Sequence, residues 1–241
     1  MAVVIKDGSG SFRNKAVGWA GCPIDTTGLE LAHFFGGALS NSLKNFAFDK
    51  EDSSALGAPA VNQDSISLQG RVNFIQTQMA DTPEVTLLAA FKPVDAGGEA
   101  IVAGNFVAST SGATRRLALF YNTAKQVTGF RGTSTNANGA ALPTPIVNGV
   151  PVCLSLRNIT GTTPKIMVKN HTSGEAAEVA NAGAPSLGSP IRIGSGYNTG
   201  GFSGQNEVYA LIAFSRSVSD DELAKLYAWL KRYCERRSIV I

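Results

Sequence analysis

Side chains able to move protons or hold metals are few and scattered. His33 and His171 are the only imidazoles, and they stand far apart in the chain. His171 follows Lys169 and Asn170 at the end of an alternating stretch, which predicts a solvated turn residue rather than a general base. Acidic residues gather at Asp49-Lys50-Glu51-Asp52 and at Asp220-Asp221-Glu222. Glycoside hydrolysis needs two carboxyl groups facing one bond, and neither cluster alternates along a strand to provide them. The first reads as a loop and the second as a helix start. Gly8-Ser9-Gly10-Ser11 and Gly194-Ser195-Gly196 are glycine-rich, but neither continues to a Walker lysine or a full GxGxxG, and there is no GxSxG elbow. Cys22, Cys153 and Cys234 are widely spaced and odd in number, so they form neither a closed disulfide set nor a zinc spacing. These residues predict no catalysis and no cofactor.

A recognition surface remains. Saccharides present a C–H face that stacks on aromatic rings and hydroxyls that bond to amides and guanidinium groups. Loop or strand-end residues of those types are Tyr121, Asn122, Arg131, Asn136, Asn138, Tyr197 and Asn198, the candidate glycan-binding set. The competing reading is that the tyrosines plug the edges of the fold and the asparagines form turns. With 21 Lys+Arg against 18 Asp+Glu, the net charge of +3 is too small to predict nucleic-acid binding.

The elements that would position such a surface are strands. Charged residues are 16% of the 241, and glycine supplies 26 positions. Val85, Leu87, Ala89 and Phe91 fall on one face by period two, as do Leu117, Leu119 and Tyr121, then Val152, Leu154 and Leu156, then Ile166 and Val168. Glu207–Ser215 is apolar on both faces and predicts a central strand covered on both sides. Ser219 to Glu222 forms a capping box, and Leu223, Leu226, Tyr227 and Leu230 then recur at helical spacing, predicting a helix over about 219–235. Residues 1–60 form an irregular leader, with a short helix possible within Leu29–Leu43. The leader serves either as an attachment or oligomerisation segment or as an arm wrapped on its own sandwich, with the main domain at 61–241. No stretch approaches the ~18 apolar residues of a membrane span, so no membrane insertion is expected. The N-terminus lacks the pattern of a signal peptide, which points to synthesis in a reducing cytoplasm.

The run Asn206–Tyr227, NEVYALIAFSRSVSDDELAKLY, resembles the closing strand and helix of concanavalin A-like, laminin-G-like jelly rolls. Gly201-Phe202-Ser203-Gly204 matches the turn before that strand, and Ile191-Arg192-Ile193-Gly194 the strand before the turn. Val72–Pro93 is similar to the family's early strands. The resemblance covers about residues 60–233 and implies an all-β, two-sheet antiparallel jelly roll with a C-terminal amphipathic helix. Such domains often hold one Ca²⁺ between loops, and Asp81, Asp95 and Glu99 are the loop carboxylates to consider, though none pairs at a convincing spacing. The carboxylate and Arg-Glu-Arg signatures of the glycanases and alginate lyases on this fold are missing. More narrowly, Ser42–Val61 is similar in style to the leaders of laminin-G-like domains in tailed-bacteriophage tail-fibre and baseplate proteins. That implies a virion protein made in the bacterial cytoplasm, a homotrimer beside other tail or baseplate proteins, binding host surface polysaccharide without catalysis. The alternatives are a purely structural subunit or, third, a divergent depolymerase.

Overall fold

The alternations close into two antiparallel sheets packed face to face. A computed structural model describes residues 19, 21–94, 98–108, 115–134, 137–197 and 200–241. One sheet contains β1 (Leu29–Phe34), β3 (Ala60–Val61), β4 (Ile66–Gln69), β6 (Val85–Val94), β11 (Val152–Ile159), β12 (Lys165–Asn170), β13 (Ala176–Ala180) and β15 (Gln205–Phe214). Its order is β13-β12-β11-β6-β15-β4-β3, with β1 pairing on β15 beyond β4. The other contains β2 (Ser54–Leu56), β5 (Phe74–Gln76), β7 (Ala100–Gly104), β8 (Leu117–Tyr121), β9 (Val127–Gly132), β10 (Ala137–Ala141) and β14 (Arg192–Ile193), in the order β10-β9-β8-β7-β14-β5-β2. The chain is an all-β jelly-roll sandwich carrying α1 (Leu39–Ser42) and α2 (Asp220–Glu235).

Between the sheets, Leu87, Ala89 and Phe91 of β6 join Leu154, Leu156, Val208 and Leu211 against Ile75, Val102, Leu117, Leu119, Tyr121 and Ile193. The sets on β6, β8 and β11 follow the period of two. Central β15 is covered on both sides, as its two apolar faces predict. Its inward residues Val208, Leu211 and Ala213 enter the inter-sheet core, while Tyr209, Ala210, Ile212 and Phe214 face outward under α2. A register shift between Val208 and Ala210 lets two successive residues, Tyr209 and Ala210, turn to the helix.

Helix α2 begins as its capping box requires. The Glu222 amide donates to Ser219 Oγ at 3.2 Å, and the Ser219 amide donates to Glu222 Oε2 at 2.7 Å. Arg216 grips both oxygens of Glu222, at 3.0 and 2.7 Å, and these charge-assisted bonds hold the carboxyl down at about 2. Arg157, reaching out from β11, donates to the Val218 carbonyl and to Asp220. Leu223, Leu226, Leu230 and Cys234 are buried against Leu88, Ala90 and Cys153 on the sheet. The helix therefore seals one outer sheet face. Among the described residues, no helix is long and apolar enough to cross a membrane.

The structure moves the start of the sandwich well upstream of residue 61. Leu29–Phe34 is a strand, not a helix, and pairs with β15 from Leu29↔Phe214 to Phe34↔Ala210. Leu31 and His33 are buried on one face by alternation, while the register shift between Leu29 and Leu31 turns Leu29 to the outer cluster under α2. The helix shrinks to the single turn α1, because Gly36 at φ +123° breaks the chain direction. A Cβ there would lie 2.4 Å from the Gln63 carbonyl oxygen, so only glycine fits. Asn45 then stitches the arm down: its side chain accepts from the Ala32 amide at 3.0 Å and donates to the Glu30 carbonyl at 2.8 Å. Residues 29–61 thus contribute β1, β2 and β3 to the two sheets. Val3, Val4 and Ile5, the first apolar residues of the leader, lie outside the described residues.

Replacing Ser219 by Ala removes the cap and is expected to cost about 1 kcal/mol. Leu226→Ala should cost about 2–5 kcal/mol, because its side chain is wholly buried under the helix. Urea unfolding of both variants measures this; unchanged midpoints for the pair would mean that α2 is not docked on the sheet.

Candidate functional site

The five candidate residues that the structure describes do not converge. Tyr121 is fully buried in the inter-sheet core, its ring parallel to Phe91 and its hydroxyl donating to the Gln205 carbonyl at 2.8 Å. The alternation that set it beside Leu117 and Leu119 leaves it no face for a ligand. Asn122 shapes the β8–β9 turn, its Oδ1 accepting from the Gln126 amide at 3.0 Å. Asn138 spans the two sheets, donating to the Ala180 carbonyl at 2.7 Å. Asn136 and Asn198 lie outside the described residues. Tyr197 remains at the surface, half-buried.

Arg131 is also fully buried, and its place corrects two expectations. Its Nη1 donates to Asp81 Oδ1 at 2.6 Å and its Nη2 to the Thr82 carbonyl at 3.1 Å. Asp81 Oδ2 accepts from Asn105 Nδ2 at 2.8 Å and from the Gly188 amide at 3.0 Å. Arg131 therefore offers nothing to a glycan. Asp81 equally offers nothing to calcium, since both its oxygens are occupied by donors. Asp95 lies outside the described residues. Among those described, no three metal-ligating side chains come together.

The two histidines are structural. His33 is buried on β1; its Nδ1 donates to the Ser42 carbonyl at 3.3 Å, which leaves Nε2 to accept from Ser53 Oγ at 2.9 Å. His171 is not the solvated turn residue expected. It contacts Ser155 Oγ through Nε2 at 2.9 Å and leans on the Tyr227 ring under α2. Burial lowers both imidazoles to about 4, and for His171 the positive charges of Lys169 and Arg157 add to the effect.

Around Tyr197 the structure assembles a surface not anticipated from sequence. Ser54↔Gln76 and Gln76↔Arg192 are direct partners across β2, β5 and β14, so the three side chains share one row on the outer face. At a strand spacing of ~4.8 Å the row is about 10 Å long, the scale of one or two sugar rings. Leu56↔Phe74 forms the next row, with Leu56 39% exposed. Arg192 is pinned: Nε donates to Gln76 Oε1 at 2.7 Å and Nη1 to the Gly196 carbonyl at 2.9 Å. Its guanidinium carbon lies 3.4 Å from the Tyr197 ring centre and 4.6 Å from that of Phe74. The Tyr197 hydroxyl reaches Gln76 Oε1 and the Pro190 carbonyl, both at 3.0 Å, while its amide donates to the Phe106 carbonyl. Toward β7, β8 and β9 the same face is roofed by Phe106 and Phe202, packed edge-on with Phe130 and Phe120. Ile191 and Ile193 facing inward could have marked Arg192 as outward. The register that brings residues 54, 76 and 192 side by side had no such local signal.

A second concavity of about 270 Å³ lies at one end of the sandwich, between the β10–β11 loop and the β12–β13 turn. It is mainly apolar, lined by Ile146, Val147, Val150 and Val152, with Glu175 bound by Thr144 at 2.6 Å on its rim.

No protein-family model matches the sequence, and no curated protein matches it. Solved structures share its architecture. Trypanosoma rangeli sialidase in complex with sialic acid aligns with a TM-score of 0.57 and 14% identity, over 83% of this chain and 32% of the sialidase. The receptor-binding domain of botulinum neurotoxin C/D mosaic serotype aligns with a TM-score of 0.63 and 8% identity, over 85% of this chain and 52% of that one. The binding domain of botulinum neurotoxin DC in complex with SialylT gives 0.61 and 7%, over 86% and 52%. The likeness is one of fold: a jelly-roll sandwich. The chain spans about a third of the sialidase and half of the toxin domains.

Asp81→Ala strands the Arg131 charge inside the protein and is expected to cost about 3–5 kcal/mol, read as a lowered urea midpoint. The histidines predict an acid limb of stability. Each binds a proton more readily unfolded, at 6.5, than folded, at about 4. Stability is therefore intact above pH 6.5 and falls as the pH drops toward 4, by about 3 kcal/mol per histidine at the acid end. A melting temperature that stays flat from pH 7 to 4.5 would contradict this.

Proposed function

We propose that this chain is a recognition module that binds saccharide on its bare sheet face and performs no reaction there. The observation that carries this reading is the row Ser54–Gln76–Arg192 beside Tyr197, Phe74 and Leu56. The Ser54 hydroxyl and the Arg192 guanidinium stand about 10 Å apart next to the exposed Leu56, on rigid strands, with the Gln76 amide between them holding the guanidinium. The two imidazoles and the buried carboxylate Asp81 are committed to structural bonds, which also favours binding over catalysis. Structural neighbours in complex with sialic acid or SialylT support saccharide as the ligand class. The resemblance of Ser42–Val61 to phage leaders supports a setting in the tail or baseplate of a virion. There, a homotrimer would multiply a weak site by avidity into firm adhesion to host polysaccharide. A second reading, a structural subunit held by neighbouring virion proteins, draws on the apolar groove where Val147 and Val150 are 64% and 49% exposed.

A glycan array probed with the recombinant protein and with Tyr197→Ala tests the reading. The parent chain is expected to bind a saccharide without releasing reducing ends from it. The variant should lose about tenfold in affinity with the melting temperature little changed, since aromatic stacking and its supporting bonds supply 1–2 kcal/mol. No saccharide bound, or full binding by the variant, would overturn it.

A further inference from the structure

We propose that the ligand of the bare sheet is anionic, an acidic saccharide whose carboxylate seats on Arg192. This deepens the reading above and rests on it.

Unanswered charge is the first argument. Among the described residues, Arg131, Arg157, Arg216 and Arg237 each meet a carboxylate. Arg71, Arg116, Arg192, Arg232 and Arg236 meet none there, but of these the half-buried Arg192 alone is both held by two side-chain hydrogen bonds and stacked on two rings. The seven strands of its sheet contain no Asp or Glu at all. A cation fixed between two aromatic rings with no counter-charge has a net field for anions that no neighbour cancels.

The hydrogen-bond inventory points the same way. A guanidinium carries five N–H donors. Nε spends its one on Gln76, and Nη1 spends one on the Gly196 carbonyl. That leaves one N–H on Nη1 and both on Nη2, enough for a two-point grip on a carboxylate. The nearby acceptor is largely engaged: Gln76 Oε1 receives Arg192 Nε and lies within reach of the Tyr197 hydroxyl, whose single proton is shared with the Pro190 carbonyl. Around the guanidinium, then, spare donors outnumber spare acceptors. A neutral sugar hydroxyl needs both; a carboxylate needs donors alone. Gln76 is a positioning residue, fixing the guanidinium plane before the ligand arrives, so little side-chain entropy is lost on binding.

Affinity measured by calorimetry for polygalacturonate, α2,8-linked oligosialic acid, carboxyl-reduced polygalacturonate, dextran, dextran sulfate and polyaspartate tests this. At least one carboxylated saccharide should bind about tenfold or more tightly than its uncharged counterparts, weakening as salt is raised. Arg192→Gln should remove that preference, and Arg192→Lys should recover only part of it, because a lysine cannot make the two-point grip. Gln76→Ala should weaken the acidic saccharide while leaving the fold intact by circular dichroism. Equal binding of neutral and carboxylated saccharides, or a preference that survives Arg192→Gln, overturns the inference but leaves saccharide recognition standing. Tighter binding of dextran sulfate than of every carboxylated saccharide overturns the carboxylate assignment. Binding of polyaspartate alone assigns the surface to an acidic protein and overturns both, as does binding of none.

Discussion

A carboxylate sits inside this protein, and its three donors close one end of the sandwich. Asp81 lies between β5 and β6, yet its oxygens receive Arg131 from β9, Asn105 from just beyond β7 and the amide of Gly188 from the connection before β14. Asn105 in turn accepts from the Leu117 amide where β8 begins and donates to the Ser189 carbonyl. Five segments remote in sequence thus share one ion pair. Burying both charges has a large desolvation cost, and it is offset only because nearly every lone pair and N–H is matched; Arg131 Nε is the one atom of the pair left without a partner. The connection from Gly188 through Ser189 leads directly into β14. The position of Arg192 on the outer face therefore depends on this interior pair.

The sequence carried the local rules plainly. Alternation placed Leu87, Leu119, Ile166 and Val168 inward, and the serine-to-glutamate spacing at 219–222 started the helix where it stands. Alternation also held the answer on Tyr121, whose residue type suggested a ligand while its period assigned it to the core. Pairing between distant segments was not legible. Arg131 reads as a loop cation until Asp81, fifty positions away, is brought beside it. Leu29–Phe34 shows both periods, and only the open edge of β15 decides for a strand. Residues 54, 76 and 192 form a row through two registers that no window of sequence contains.

The two sheets have opposite fates on their outer faces. One is sealed by α2, whose stripe meets Leu88, Ala90 and Cys153. The other is half-roofed by Phe106 and Phe202, and among the described residues Ser54 and Leu56 stay exposed on it. Glycine at 194, φ +83°, lets the chain turn directly after β14 while its Cα packs against Leu68, where a Cβ would come within 2.5 Å of that side chain. The turn brings Gly196 and Tyr197 back over Arg192. Rigid strands thus carry the charge, and the turn supplies the ring that holds it flat.

The margins of the sheets carry a different consequence. β3 and β2, at one margin, are two and three residues long. At the other, β13 and β10 lean together, and the Asn138 amide occupies the Ala180 carbonyl that an incoming strand would otherwise use. Backbone zippering between copies is therefore blunted at both margins. The described margins leave little free strand edge on which another chain could add.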